Sequence, residues 1–138
     1  MPTDGQYQQL LAFRNELRRF DQWSRQQAER VGLTHAQHQL LLAIRGSATP
    51  EGPTIGEVAE ALLIRHHSAS ELIDRSQDLG LLVRVRDAGD SRRVHLRLTD
   101  HGHELLQRLT EVHLGELARL AEHLHGLPDT TAEVGRPE

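Results

Sequence analysis

Cysteine and lysine are both missing from this sequence. Without cysteine the chain can form no disulfide bond, no thiolate zinc site and no sensor based on thiol oxidation. Without lysine, all 16 basic residues are arginine. The planar guanidinium group of arginine pairs with a phosphate or a guanine edge at two points, which an ammonium group cannot do. The positions of the arginines are therefore the first clue to function.

Aromatic residues and long hydrophobic runs are scarce as well. Aromatics make up 3% of the chain, so we expect a core of leucine, valine, isoleucine and alanine. No stretch approaches the roughly 18 apolar residues of a membrane span, and the opening MPTDGQYQQL lacks the regions of a signal peptide. We expect a cytoplasmic protein with no membrane partner, whose 138 residues form one domain.

Enzyme motifs are also absent from the sequence. It contains no phosphate-binding glycine loop, no H-E-x-x-H and no G-x-S-x-G. We therefore expect no catalytic residue, no cofactor and no enzymatic activity.

Most of the chain shows the periodicity of amphipathic helices. Long helices are predicted over about residues 5–31 and 100–125, and Thr34 and Thr54 are predicted N-caps of shorter ones. The predicted order is helix, helix, short helix, short helix, β-hairpin and long helix. The fold class is therefore mainly α (α+β).

The hairpin is predicted from LVRVR and VHLRL, which flank the turn sequence DAGDS. Apolar and basic residues alternate in both segments, which predicts one buried face and one basic face. Val83 and Val85 are then assigned to the buried face, and Arg84 and Arg86 to the basic face.

Charge is unevenly distributed around this hairpin. Residues 83–98 contain five arginines and two aspartates, although the whole chain has a net charge of −4. Because a field is felt over a Debye length of about 10 Å, the local excess matters more than the total. A basic hairpin of this kind predicts a nucleic-acid contact, and a merely solvated hairpin is the alternative.

A short helix, a second helix with a polar outer face and a hairpin are the layout of a winged helix-turn-helix. The segments LTHAQHQLLLAI, TIGEVAEALLIRHHSASELIDRSQDLGLLVRV and DAGDSRRVHLRLTDHG resemble the multiple-antibiotic-resistance regulator (MarR) family of bacterial transcription factors over about residues 33–106. The most specific part is Asp-x-Arg followed by a strand and then LT-x-x-G.

This resemblance implies a single MarR-type domain over residues 1–138. It implies a winged helix-turn-helix DNA-binding lobe at 33–99, and N- and C-terminal helices, 5–31 and 100–125, that form the dimerisation region of a homodimer. Residues 126–138 have no apolar period and are expected to be a flexible tail, with the family's further C-terminal helix shortened or missing.

The second of the two short helices, which directly precedes the hairpin, is expected to place its N-terminal end in the major groove of DNA. The residues expected to contact bases or phosphates there are Arg65, His66, His67, Ser68 and Ser70.

The hairpin supplies four further candidate DNA-binding residues. The resemblance places Arg92 in the minor groove, with Asp90 orienting it or tightening the turn. Arg86 and Arg93 are expected to contact phosphates.

The resemblance also implies a repressor of a pseudo-palindromic operator that a small aromatic effector releases, by changing the spacing of two recognition helices. Trp23, the single tryptophan, lies where an effector pocket would open between dimer helices and lobe. Packing in the dimer core is the favoured interpretation of Trp23, and ligand binding is the alternative.

Two other functions remain as alternatives. The ten histidines suggest a zinc-responsive regulator, but i, i+2 pairs such as His101 and His103 point about 200° apart on a helix and chelate poorly. His35 and His38 share a helix face. We expect no metal site. The other alternative is a winged-helix module that binds a protein.

Overall fold

The computed structural model describes residues 1–125. In chain order its elements are α1 (Asp4–Arg30), α2 (His35–Arg45), α3 (Ile55–Leu62), α4 (His66–Asp78), β1 (Leu82–Arg86), β2 (Val94–Leu98) and α5 (Asp100–His125). The predicted mainly α fold class, with one antiparallel hairpin, is confirmed. The predicted flexible tail, 126–138, lies outside the described residues.

Across residues 1–125, no helix has the length and apolar character that a bilayer crossing requires.

The chain divides into two compact units. The larger unit, residues 25–110, contains α2 to β2, the end of α1 and the start of α5. Of the described residues, the smaller unit contains 1–24 and 111–125. The assignment of the long helices to a dimerisation region stays a prediction.

The helix starts follow the predicted capping residues. The Thr34 hydroxyl accepts a hydrogen bond from the Gln37 backbone N–H, and the Gln37 side chain accepts one from the Thr34 N–H, which completes a capping box. Thr54 caps α3 by accepting a hydrogen bond from the Glu57 N–H. Both predicted N-caps are confirmed.

The core of the larger unit consists of two apolar clusters. The first contains Leu40, Ile44, Val58, Ala59, Ala69, Ile73, Leu82 and Leu96, and the second contains Ala28, Leu33, Leu41, Leu81, Leu105, Leu106 and Leu109. Sequence neighbours such as Leu40 and Leu41 belong to different clusters. Because α2 contributes to both clusters, it is buried on two sides and fixes where the surrounding elements pack.

The predicted faces of the hairpin are confirmed for Leu96 and Arg97 of β2, which are buried and exposed, and are wrong for β1 and for His95. The register pairs Val83 with Arg97 and Val85 with His95, so that the valines share a face with residues assigned to the basic face. Val83 and Val85 are 42% and 40% exposed, whereas His95 is only 5% exposed.

Tertiary contacts explain why the two valines of β1 are exposed. Arg84 lies on the face of Leu96, where its guanidinium donates hydrogen bonds to Asp74 and Gln77 of α4. The Leu96 N–H donates to the Pro53 carbonyl at 2.8 Å. Thr54 of the segment before α3 also forms an isolated antiparallel β-bridge with His95, so both edges of β2 make backbone contacts.

Leu63 at the end of α3 has a left-handed backbone (φ 57°, ψ 42°) and is 91% exposed. It is the one non-glycine residue with positive φ in the part of the chain that the structure describes. A side chain in this conformation costs about 1 kcal/mol relative to glycine. We therefore expect Leu63→Gly to raise the free energy of unfolding by up to about 1 kcal/mol, measured by urea denaturation followed by circular dichroism.

Leu42→Gly is the matched control for this prediction. Leu42 is 46% exposed and lies inside α2, where glycine costs about 1 kcal/mol of helix stability. The two substitutions should therefore have opposite signs. Destabilisation by both would contradict the account of Leu63.

Candidate nucleic-acid interface

Helix α4 is held on the lobe by one apolar face. Ala69 and Ile73 are fully buried, and the buried Ser76 hydroxyl donates a hydrogen bond to the Leu72 carbonyl within the helix. The opposite face of α4 is consequently directed outward, as a recognition helix requires.

The residues predicted for major-groove contacts lie at the outward start of this helix. Arg65, His66 and His67 are exposed, and Ser68 and Ser70 are half-buried. Arg65 is the N-cap residue and makes no side-chain hydrogen bond to the first turn. Its guanidinium group is therefore not used to terminate the helix.

The turn of the hairpin, residues 87–93, is fixed by backbone and carboxylate hydrogen bonds. The Asp87 carboxylate accepts from the Gly89 N–H at 2.7 Å and the Asp90 N–H at 3.3 Å. The Asp90 carboxylate accepts from the Arg92 backbone N–H at 3.0 Å. Asp90 thus tightens the turn through the backbone of Arg92. We call residues 82–98 the wing.

The five arginines of the wing fall into two groups. Arg84 pairs with Asp74 at 2.5 Å, and Arg97 donates to the Glu51 and Pro50 carbonyls at 3.3 and 3.5 Å. These two arginines stabilise the lobe. The sequence did not reveal that Arg84 and Arg97 make contacts within the lobe, because their partners lie on other elements.

The other three wing arginines are Arg86, Arg92 and Arg93. All three are exposed, and none has an ion-pair partner within residues 1–125. They are three of the predicted DNA-binding residues.

The structure brings part of the helix set and part of the wing set together. His66, Arg92 and Arg93 line one shallow cleft of about 290 Å³, which also borders Thr54 and Ile55 at the start of α3. Two basic side chains of the wing and one histidine of the recognition helix thus converge on one surface. Such a positively charged surface favours the binding of an extended polyanion.

Sequence reasoning missed one buried interaction at the base of the wing. The His95 Nδ1 lies 2.7 Å from the Gly52 carbonyl oxygen, and its Nε2 lies 2.9 Å from the Asp87 Oδ2. The hydrogen bond that the Asp87 carboxylate accepts from His95, reinforced by the one to the Gly52 carbonyl, raises the pKa of His95 above its ordinary value. The same hydrogen bond and that from the Gly89 N–H lower the pKa of Asp87.

Trp23 lies in the smaller unit and is engaged in packing there. Its ring centroid is 4.7 Å from that of His113 and 6.0 Å from that of Phe20. The Ser24 hydroxyl forms a 2.7 Å hydrogen bond with His113 Nε2. These contacts are typical of a helix–helix core.

The histidines do not assemble a metal centre in the part of the chain that is described. Within residues 1–125, no group of three or more histidine, aspartate or glutamate side chains is placed to hold a metal ion.

Two helices joined by a tight turn, the second of them facing outward, and a β-hairpin wing with exposed arginines define a winged helix-turn-helix protein. Residues 31–93 match the sequence profile of the MarR family. The resemblance noted from the sequence is confirmed.

Among the chain's relatives is the HTH-type transcriptional regulator PecS of Dickeya dadantii (strain 3937). It is 29% identical over 82 residues, which are 59% of this chain and 49% of PecS. An uncharacterized HTH-type transcriptional regulator of Bacillus subtilis (strain 168), YkoM, is 33% identical over 63 residues, 46% of this chain and 41% of YkoM. The match thus spans about half or less of each of these relatives.

Solved structures share the fold. AbsC, a MarR family transcriptional regulator from Streptomyces coelicolor, has a TM-score of 0.75 at 20% identity, covering 97% of this chain and 89% of AbsC. The MepR–DNA complex of S. aureus has a TM-score of 0.67 at 24% identity, covering 89% of this chain and 86% of MepR.

Proposed function

We propose that this protein is a sequence-specific DNA-binding transcriptional regulator with no enzymatic activity, acting in the cytoplasm. The observation that carries the proposal is the cleft where Arg92 and Arg93 of the wing meet His66 of the recognition helix. The name of PecS as a transcriptional regulator and the DNA bound to MepR support it.

In the proposed complex the start of α4 enters the major groove, which is about 12 Å wide and admits one helix. Arg65, His66 and His67 are exposed and contact base edges or phosphates. The half-buried Ser68 and Ser70 contribute hydrogen bonds from their shorter side chains.

The wing contributes the remaining contacts. Arg92 enters the minor groove, which is narrow and strongly negative over A·T runs and accepts a slender guanidinium. Arg86 and Arg93 bind phosphates. Asp90 supports them by holding the turn.

A homodimer on two half-sites is part of the proposal, because one such module buries only about 600–1,000 Å² on DNA. The smaller unit offers apolar material for an interface with a second copy. Its exposed apolar side chains are Tyr7, Leu10, Leu11, Phe13, Val112, Leu114 and Leu117. Covering them would supply the hydrophobic core of an interface.

We also propose that the protein is a repressor released by a small aromatic effector. The effector would bind one spacing of the two recognition helices more tightly than the other and so shift the dimer from DNA. Trp23 is the single tryptophan, so the change of its fluorescence on titration with aromatic carboxylates reports effector binding directly.

Selection from random DNA tests the proposal. Duplexes of about 30 base pairs hold two half-sites with centres about 34 Å apart, and the protein should enrich a pseudo-palindrome. Binding to it should weaken steeply between about 50 and 200 mM salt, because released counterions drive association. Arg65→Ala and His67→Ala should change the selected sequence.

Each alternative function has its own outcome in this experiment. Failure to enrich any duplex, with or without added Zn²⁺, would contradict the proposal and favour a protein-binding winged helix. Enrichment only in the presence of Zn²⁺ would favour the zinc-responsive alternative. Matched measurements with a chelator separate these cases.

A further inference from the structure

His95 lies where three separate segments of the larger unit meet. It belongs to β2, is 5% exposed and lies between the loop at Gly52 and the turn residue Asp87. Gly52 adopts φ +94°, and a Cβ at this position would overlap the Leu96 carbonyl oxygen and lie 3.2 Å from its carbonyl carbon. The loop is therefore pressed directly onto β2.

Both ring nitrogens of His95 face oxygen atoms that can only accept a hydrogen bond. The Gly52 carbonyl is 2.7 Å from Nδ1, and the Asp87 carboxylate is 2.9 Å from Nε2. A neutral imidazole has one N–H and one lone pair, so it satisfies one of these acceptors and repels the other. Only the doubly protonated imidazolium donates to both while Asp87 stays ionised.

Asp87 connects this histidine to the tip of the wing. While Oδ2 accepts from His95, Oδ1 accepts from the Gly89 and Asp90 N–H groups. The Asp87 N–H in turn donates to the Arg93 carbonyl at 2.9 Å. The position of Asp87 therefore sets the path of the segment that carries Arg92 and Arg93.

We propose that His95 and Asp87 are positioning residues, which hold the tip of the wing in its DNA-binding orientation while His95 is protonated. Deprotonation of His95 breaks one of its two anchors and removes one positive charge from the wing. DNA affinity then falls. This inference rests on the proposed DNA-binding function and adds control of that site by protonation.

The charges around His95 favour its protonated form. Asp87 faces it from the turn and Glu51 from the loop before α3, and both raise the pKa of His95. Along the chain, Arg93 of the turn and Arg97 of β2 are each two residues from His95, and Arg97 is held by the loop carbonyls. Burial acts in the opposite direction and lowers the pKa.

The sign of the stability effect follows from these shifts. The raised pKa of His95 gives stability that is complete below about pH 6.5 and is lost as the pH rises through the folded-state value. The lowered pKa of Asp87 gives stability that is lost only as the pH falls through that lowered value. The wing is therefore most firmly anchored in mildly acidic solution.

Operator binding measured from about pH 5.5 to pH 8.5 tests the proposal. For the full-length protein we expect affinity to fall roughly tenfold as the pH rises. His95→Gln, which cannot donate to both acceptors, should bind roughly tenfold more weakly at the acidic end and lose this part of the pH profile. The exposed His103 provides the control His103→Gln, which should behave as wild type.

The other histidines of the interface are accounted for by a second variant. His66 and His67 lie in the proposed DNA contact, so the double variant His66→Gln/His67→Gln should retain the pH dependence that originates at His95. If this double variant removes the entire pH dependence, or if His95→Gln keeps the wild-type profile, the proposal is overturned.

Nuclear magnetic resonance tests the anchor without DNA. The imidazole ¹⁵N shifts of His95 should report two protonated nitrogens at about pH 6.5, and Asp87→Asn should lower the pH at which one proton is lost. A neutral His95 ring at this pH overturns the inference even if DNA binds. Absence of DNA binding at every pH, with an imidazolium at His95, overturns the proposed function.

Discussion

Arg92→Ala is expected to weaken binding to the selected operator by about 1–3 kcal/mol, a roughly 5- to 150-fold rise in Kd. The Arg92 side chain is exposed, and within residues 1–125 it has no ion-pair partner to retain it in the free protein. Its backbone N–H remains bonded to Asp90 after the substitution. The loss of affinity should therefore come from the missing contact between the Arg92 side chain and DNA, and the turn should stay intact.

The salt dependence of binding identifies which contact is lost. Removal of a cation from the minor groove should lower the slope of log K against log salt by about 1. It should also reduce the preference for A·T at the matching positions, because those pairs narrow the groove. Isothermal titration calorimetry or fluorescence anisotropy at three salt concentrations, with operators that differ at the A·T positions, measures the salt slope and the A·T preference.

Arg108→Ala is the matched control for Arg92→Ala. Arg108 is also exposed, lies in the same compact unit and pairs with Glu104 on α5 at 2.7 Å. An exposed i, i+4 pair contributes little to stability, and we expect operator affinity to change less than twofold. Equal losses in the two variants would mean that only net charge matters, which would contradict the assignment of Arg92.

Gly102→Ala is expected to cause the largest loss of stability among the substitutions considered. Gly102 lies in the first turn of α5, and a Cβ there would overlap the Leu81 carbonyl oxygen and lie 2.9 Å from its carbonyl carbon. The obstacle is backbone, so no side chain can rotate away. The same carbonyl accepts from the Thr99 N–H at 3.1 Å, which fixes the strand end against the helix start.

The expected cost of this alanine is about 3 kcal/mol, a fall of roughly 10 °C in Tm for a chain of this size. The control is Gly115→Ala in the same helix, where nothing lies within 4 Å of the added Cβ. There alanine should be neutral or stabilise by up to about 1 kcal/mol, through helix propensity. Differential scanning calorimetry distinguishes them, and similar Tm values for the two variants would contradict the close approach at Gly102.

Gly102 also explains part of the most specific sequence signature. In LTDHG the Thr99 hydroxyl accepts from the Gly102 N–H at 3.0 Å and donates to the Gly80 carbonyl at 2.6 Å. The threonine caps the helix, and the glycine lets that helix approach Leu81 closely. The LT-x-x-G part of the signature is therefore a packing requirement of the wing's base.

Local signals were sufficient for the helices and their starts. The spacing of apolar residues predicted the element order, and Thr34 and Thr54 predicted where α2 and α3 begin. These features depend on residues three or four positions apart, which the sequence displays directly. The start of α4 was proposed as a DNA contact from the same local pattern, and the placement of Arg92 came from the family resemblance; both await the operator experiment.

The phase of the hairpin could not be predicted in this way. Val83 and Val85 had the alternation of buried strand residues, yet Arg84 on the opposite face pairs with Asp74, and on the valines' own face the buried residue is His95, which bonds to Gly52. Both partners come from elsewhere in the chain, 10 and 43 residues away. A period-two pattern gives two faces but does not identify which one packs against other elements.

The sequence by itself determined that this chain is mainly helical, that five of its 16 arginines lie on one hairpin and that cysteine chemistry is excluded, because periodicity and composition are read directly from the residues. Only the tertiary structure decided which wing arginines lack an ion-pair partner within residues 1–125 and which stabilise the lobe, and that His95 is held between two acceptors. Those outcomes depend on which distant groups folding brings within hydrogen-bond distance, and each buried polar atom must find its partner there.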